Sequence, residues 1–170
     1  MKRLKNAFLK GTFLISTLLL SMSVATPTSA DESALNDLME GFHAAASKGD
    51  FDDYFGRFAS QSVFLGTDAS ERWPLDDFKA YAKPHFDAGR GWTYQTVERH
   101  WRIEGNIAWF DEQLDNESLG RCRGTGVVIL EGGEWKVAHY SLTLLIPNEI
   151  ADEVAEKSKQ ATQSTQNNGQ

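Results

Sequence analysis

The chain has 170 residues, with 17 Lys and Arg against 24 Asp and Glu and a formal net charge of −7. That length suits one domain, and an acidic balance without a basic stripe argues against nucleic acid or anionic lipid as partners. Cys122 is the single cysteine, which excludes an intrachain disulfide and a thiolate metal cluster.

Taken in chain order, the first segment reads as an export signal. Met1 to Lys5 is basic, Thr12 to Val24 is an apolar run, and Thr28-Ser29-Ala30 supplies small residues before Asp31. This order predicts a signal peptide over 1–30, cleaved after Ala30. The run is short for a membrane span, so an uncleaved anchor is the weaker alternative, and no stable membrane anchor is expected after cleavage. Four of the 17 basic residues and no acidic ones precede Asp31, leaving 13 against 24 in a periplasmic or secreted domain.

Leu35, Leu38, Met39, Phe42 and Ala46 fall at i, i+3, i+4 spacing and predict a helix over 31–48. Gly49 can end it, and Asp50 can cap a short second helix marked by Phe51, Tyr54, Phe55 and Phe58. Val63 to Leu65 reads as a short strand. Pro74, Asp76 and Asp77 open a third helix through Phe78, Tyr81 and Ala82, which Pro84 should kink or end. From Trp92 the period changes to two, predicting strands over 92–103, 106–114, 121–130 and 134–146. Gly105-Asn106 and Gly132-Gly133 are hairpin turns. Helices followed by strands make an α+β domain over 31–148. Over 149–170 a short helix and a disordered tail from Ala161 are expected.

This order of elements resembles the nuclear transport factor 2-like superfamily, and local motifs resemble its SnoaL-like members. The segments that carry the resemblance are GTDASERW (66–73), GRGWTY (89–94), NIAWFDEQLDN (106–116), GRCRGTGV (120–127) and GEWKVAHYSLTLLIPN (133–148). It implies three N-terminal helices packed on a curved antiparallel sheet, leaving a cone-shaped pocket. Members include isomerases, dehydratases, cyclases, ligand binders and assembly domains, so fold alone does not choose among them.

Alternation along the strands, aligned with the kinase association domain of the same superfamily, puts Trp109, Asp111, Gly126 and Tyr140 on the pocket face. Phe110 and Glu112 then lie on the other face, and a one-residue slip would exchange every assignment. Asp111 is the leading general-base candidate because burial would raise its pKa, with Tyr140 orienting the substrate. The alternative for Asp111 is a surface position or an ion pair with Arg121 or Arg123. Trp73, Tyr81, Trp109, Gly126, Tyr140 and Leu142 are the expected ligand-binding set. Trp92 and Trp101 are further aromatic candidates.

Glu112 reads as a cross-strand partner of Arg121 or Arg123 on the outer face, or those arginines as an anion site. His100 and His139 are satisfied sheet histidines or a proton-transfer pair, and their spacing matches no metal motif. His85 falls near the pocket mouth and His43 at the edge of the first helix's buried stripe. Asp68, Glu71 and Arg72 form a loop beside Trp73, either functional or serving caps and ion pairs. Neither a cofactor nor a metal is expected. Three functions stay open: binding of a small, partly apolar molecule; isomerase, dehydratase or cyclase chemistry; and a homodimeric assembly module.

Overall fold

The computed structural model describes residues 29–168, and the expected signal peptide lies almost entirely outside them. Helix α1 spans Ser29–Lys48, α2 Phe51–Gly56 and α3 Leu75–Asp87. The strands are β1 Phe58–Leu65, β2 Arg72–Pro74, β3 Gln95–Glu104, β4 Ile107–Asn116, β5 Gly120–Glu131 and β6 Glu134–Leu144. They form one six-stranded sheet in the order β2-β1-β6-β5-β4-β3. Every neighbouring pair is antiparallel except β1 with β6, so the sheet is mixed rather than purely antiparallel.

Local chemistry explains the helical half. Asp50 caps α2 by accepting from the Asp53 N–H at 3.1 Å. Asp76 and Asp77 sit in the first turn of α3, where the helix dipole favours negative charge. Pro84 lies inside α3, and the helix ends three residues later at Asp87. The expected second helix is shorter than its apolar spacing suggested. Phe58 opens β1 instead, and its ring stays in the core by packing on Phe42 and Tyr54, 5.4 Å away in each case. Leu35, Met39, Phe42, Tyr54, Phe78, Phe86 and the inward side of β4 to β6 make one buried cluster.

Beyond β6, where a short helix and a disordered tail were expected, the chain is helical. A 3₁₀ turn at Asn148–Ile150 leads into α4, Ala151–Asn168. Its Ala, Glu, Lys and Gln residues favour helix, and Lys157–Glu153 and Lys159–Glu156 pairs at 2.6 and 2.7 Å support it. Among the described residues no helix is long and apolar enough to cross a membrane.

The phase of β4 is the reverse of the expectation. Ala108, Phe110, Glu112 and Leu114 are buried against the helices, whereas Trp109 and Asp111 are exposed. The expected phase of β5 stands, with Cys122, Gly124, Gly126 and Val128 facing in. In β6 the register shifts between Val127 and Val128 of its partner, so Ala138 is an extra residue. The bulge lets Val137 and Tyr140 both face inward, which strict alternation forbids.

Candidate functional site

A cavity of about 140 Å³ opens where β1, β2, α3 and the segment before β3 meet. Trp73, Tyr81 and Leu142 line it, as the sequence suggested, together with Phe64, Phe78 and Trp92. Tyr94, Thr67, Gly66 and Glu71 complete the wall. The aromatic rings brace one another. Trp73 stacks on Tyr81 at 5.1 Å and 19°, Phe64 on Phe78 at 4.2 Å and 11°, and Phe78 on Trp92 at 6.0 Å and 25°. Such offset ring pairs add to the stabilisation from area burial and hold the wall in shape.

Among the described residues Glu71 is the one charged side chain in that wall, and it is half-buried. It bends back over Gly66, where any Cβ would collide with its carboxylate, and accepts from the Asp68 N–H at 3.2 Å. The loop is fixed on its outer side by Asp68, which accepts from the Ser70 hydroxyl at 2.6 Å and N–H at 2.9 Å. Those two bonds hold the Asp68 carboxyl below its ordinary range. Arg72 is exposed on β2 and does not line the cavity. The Tyr94 phenol is pushed up to about 12, first by burial, then by the thiol of Cys122 and the carboxylate of Glu71. It therefore presents a neutral hydroxyl to the cavity.

One layer deeper lies a polar cluster of which only Tyr140 belonged to the expected site. Glu112 is fully buried on β4. One carboxylate oxygen accepts from His43 Nε2 at 2.9 Å and from the Tyr140 hydroxyl at 2.8 Å. The other accepts from Arg99 Nε at 2.9 Å and forms an ion pair with Arg99 Nη2, 2.8 Å away. Asn36 Oδ1 accepts from Arg99 Nη1 at 3.2 Å and from Trp101 Nε1 at 2.9 Å. Asn36 and His43 are seven residues apart on α1, two turns along one face, so the cluster ties α1 to β3, β4 and β6.

Burial opposes the charge on Glu112, but the His43 hydrogen bond and charge, Arg99 and the Tyr140 hydroxyl outweigh it. Its carboxyl is held below the usual carboxylate range. Tyr140 moves the other way, well above the ordinary phenol value, through burial and the neighbouring Glu112 charge. Gly124 makes this possible, because a Cβ there would overlap the Tyr140 hydroxyl and crowd Glu112. The Tyr140 ring lies parallel to Phe64 at 5.7 Å, so it backs the cavity wall without lining it.

The remaining expected site residues fall elsewhere. Asp111 pairs across the sheet with His100 and Thr125 on the solvent face, which removes it as a buried general base. Trp109 is 43% exposed beside Val127 on the same outer face and reaches no part of the cavity. Gly126 does face inward, but the Phe110 ring fills the space above it. The expected Glu112 pairing with Arg121 is replaced by Asp115, which binds Arg121 at 2.6 Å. His100 is exposed 3.7 Å from Glu98, and His139 is half-buried on the outer side of β6. His85 packs 5.3 Å from Tyr81 at the cavity rim. Among the described residues no three His, Cys, Asp or Glu side chains gather as a metal site.

A family model described as SnoaL-like domain matches residues 35–147, more than half of the chain. The chain belongs to the SnoaL-like domain family. The match takes in every strand, α2, α3 and α1 from Leu35 onward, so cavity and buried cluster both lie within the SnoaL-like unit. No curated relative matches by sequence.

Solved structures similar to this SnoaL-like domain show the same fold. An NTF2-like protein of unknown function from Pseudomonas putida KT2440 is 18% identical, with TM-score 0.62 over 72% of this chain and 92% of that one. A domain of unknown function with a cystatin-like fold from Nostoc punctiforme PCC 73102 is 16% identical, with TM-score 0.63 over 83% and 98%. A proposed dehydratase of the NTF2-like family from Streptomyces avermitilis is 10% identical, with TM-score 0.60 over 69% and 98%.

Proposed function

We propose that this SnoaL-like domain is exported and holds a small, partly apolar molecule in its aromatic cavity. The observation that carries this reading is the division of labour between two neighbouring sites. The cavity wall is built of stacked rings with a few polar groups, the usual make-up of a binding pocket. The strongest acid–base constellation, around Glu112, is taken up by three hydrogen bonds and the Arg99 ion pair and lies behind the cavity wall rather than in it. At about 140 Å³ the cavity is smaller than the ~300 Å³ at which drug-sized pockets begin, so it suits a small molecule or one end of a larger one. Export is supported by the basic, apolar and small-residue order of 1–30.

A fragment library screened by thermal shift and native mass spectrometry tests this reading. At least one compound should stabilise the domain, and Leu142→Trp, which fills the cavity, should abolish its binding while leaving the circular-dichroism spectrum intact. Binding undiminished in that variant, or no binder at all, would overturn the proposal.

A second reading is proton-transfer catalysis with a cavity carboxylate as base, favoured by Glu71 in the wall beside the neutral Tyr94 hydroxyl. Hydrogen–deuterium exchange at carbon next to a carbonyl, followed by proton NMR, tests it. Catalysis by the wild type and its loss in Glu71→Gln would support it; equal exchange by both would exclude it. Self-association is proposed across the outer sheet face, where Ile107 and Trp109 lie exposed opposite Ile129 and Val127. Sedimentation should show a dimer that Trp109→Lys dissociates; a wild-type monomer at high concentration would refute it.

A further inference from the structure

The charge and ring content of the cavity say more about its occupant than its size does. Among the described residues Glu71 is the only acidic side chain in the wall, and no Lys, Arg or His shares the lining with it. Its oxygens receive a backbone N–H from Asp68, and among the described residues no cation pairs with it. A half-buried carboxylate in a wall of aromatic rings, with no protein cation beside it, leaves the counter-charge to be supplied by a ligand.

The rest of the wall matches the same ligand chemistry. Trp73 and Tyr81 form one stacked pair, and Phe64, Phe78 and Trp92 form a second stacked row, with Tyr94 beside them. The face of each ring carries negative quadrupole density, which attracts a cation within about 6 Å of the centroid, most strongly at tryptophan. Two stretches of chain bring these rings together around one acid: the continuous run from β1 through the loop bearing Thr67 and Glu71 and β2 into α3, and the segment leading into β3. Thr67 and Tyr94 add neutral hydroxyls, which can bond a polar substituent without introducing positive charge. The chain's net charge of −7 adds a field that draws cations and repels anions.

We propose that this cavity binds a small organic cation, an alkylated ammonium group, with Glu71 as its counter-charge and the Trp73, Trp92 and Tyr94 rings around it. This rests on the reading of the cavity as a small-molecule site and narrows it to one chemical class. An anionic ligand is disfavoured by the same carboxylate. A neutral ligand of equal shape forgoes both the charge pairing and the ring attraction.

The test compares choline with 3,3-dimethylbutan-1-ol, which replaces the quaternary nitrogen by carbon at nearly unchanged shape. Affinities come from calorimetric titration at constant ionic strength, with sodium chloride as the salt control. Choline should bind at least about tenfold more tightly than the alcohol. Glu71→Gln should remove most of that preference, and Trp73→Ala should weaken choline binding, both with unchanged circular dichroism. Equal or tighter binding of the alcohol would overturn the cation assignment and leave the small-molecule reading standing. Binding of neither compound would also overturn the cation assignment, while the fragment screen decides the broader reading separately. A preference for choline that survives in Glu71→Gln would overturn the role of Glu71 as counter-charge.

Discussion

Replacing Glu112 by Gln keeps the shape of the buried cluster and removes its charge. The Arg99 side chain is only 5% exposed, donates from Nε to that carboxylate and forms an ion pair with it through Nη2. Without the negative charge its guanidinium remains buried and uncompensated, and one of the amide's two positions becomes a donor facing donors. Breaking a buried ion pair from one side costs about 3–5 kcal/mol. For a domain of this size that corresponds to a loss of about 10 °C in midpoint temperature. Urea unfolding followed by far-UV circular dichroism would read the same loss as a lower midpoint with an unchanged slope. The sign of the pH dependence follows from the lowered carboxyl. Its contribution is fully present above the ordinary value of 4.5 and is lost as the pH falls through the lower folded-state value. The gap between wild type and variant should therefore be constant near neutrality and close in acid below pH 4.5. The double variant Glu112→Leu with Arg99→Leu should recover much of the loss, since an apolar pair leaves no orphaned charge. A Glu112→Gln variant within about 1 kcal/mol of wild type at pH 7 would refute the claim that this pair is desolvated.

Three further outcomes follow from the same geometry. Gly124→Ala should cost about 1–3 kcal/mol, read as a lower urea midpoint, because its methyl meets the Tyr140 hydroxyl and Glu112. Asp111→Asn should stay within about 0.5 kcal/mol of wild type and leave ligand binding unchanged, because the side chain faces solvent. In an ultraviolet titration Tyr94 should ionise near pH 12; its contribution to stability is present below pH 10 and lost as the pH rises through 12. Tyr94→Phe should delete that transition, and an unchanged titration curve would contradict the burial of the phenol.

The architecture was legible because its signals are local and periodic. The α1 stripe from Leu35 to Ala46, the Asp50 cap and the Gly105 and Gly132-Gly133 hairpins each specify one conformation, and those three glycines indeed adopt positive φ. Trp73, Tyr81 and Leu142 were legible as wall residues because aromatic and aliphatic groups at those positions have few other places to go. The phase of β4 was lost because alignment with the kinase association domain set it, against the strand's own pattern. Ala108, Phe110 and Leu114 already share one face, and Glu112 lies in register with them. A polar residue at a core position was the signal for the buried cluster, and Asn36 and His43 on the apolar side of α1 were its counterparts. Alternation also fails at the Ala138 bulge, which no residue in β6 announces. Partnering of Glu112 with Arg99 rather than Arg121 depends on register and face together, which spacing does not encode.

Indole signals provide the most direct test of the cavity as the ligand site. The chain has five tryptophans: Trp73 and Trp92 in the cavity wall, Trp101 bonded to Asn36, Trp109 on the outer sheet face, and Trp135 against the core edge. A titration of ¹⁵N-labelled protein with choline, or with the best neutral compound from the fragment screen, should move the Nε1–H resonances of Trp73 and Trp92 and leave Trp109 in place. Movement of Trp109 with Trp73 and Trp92 fixed would locate binding on the outer face and contradict the account.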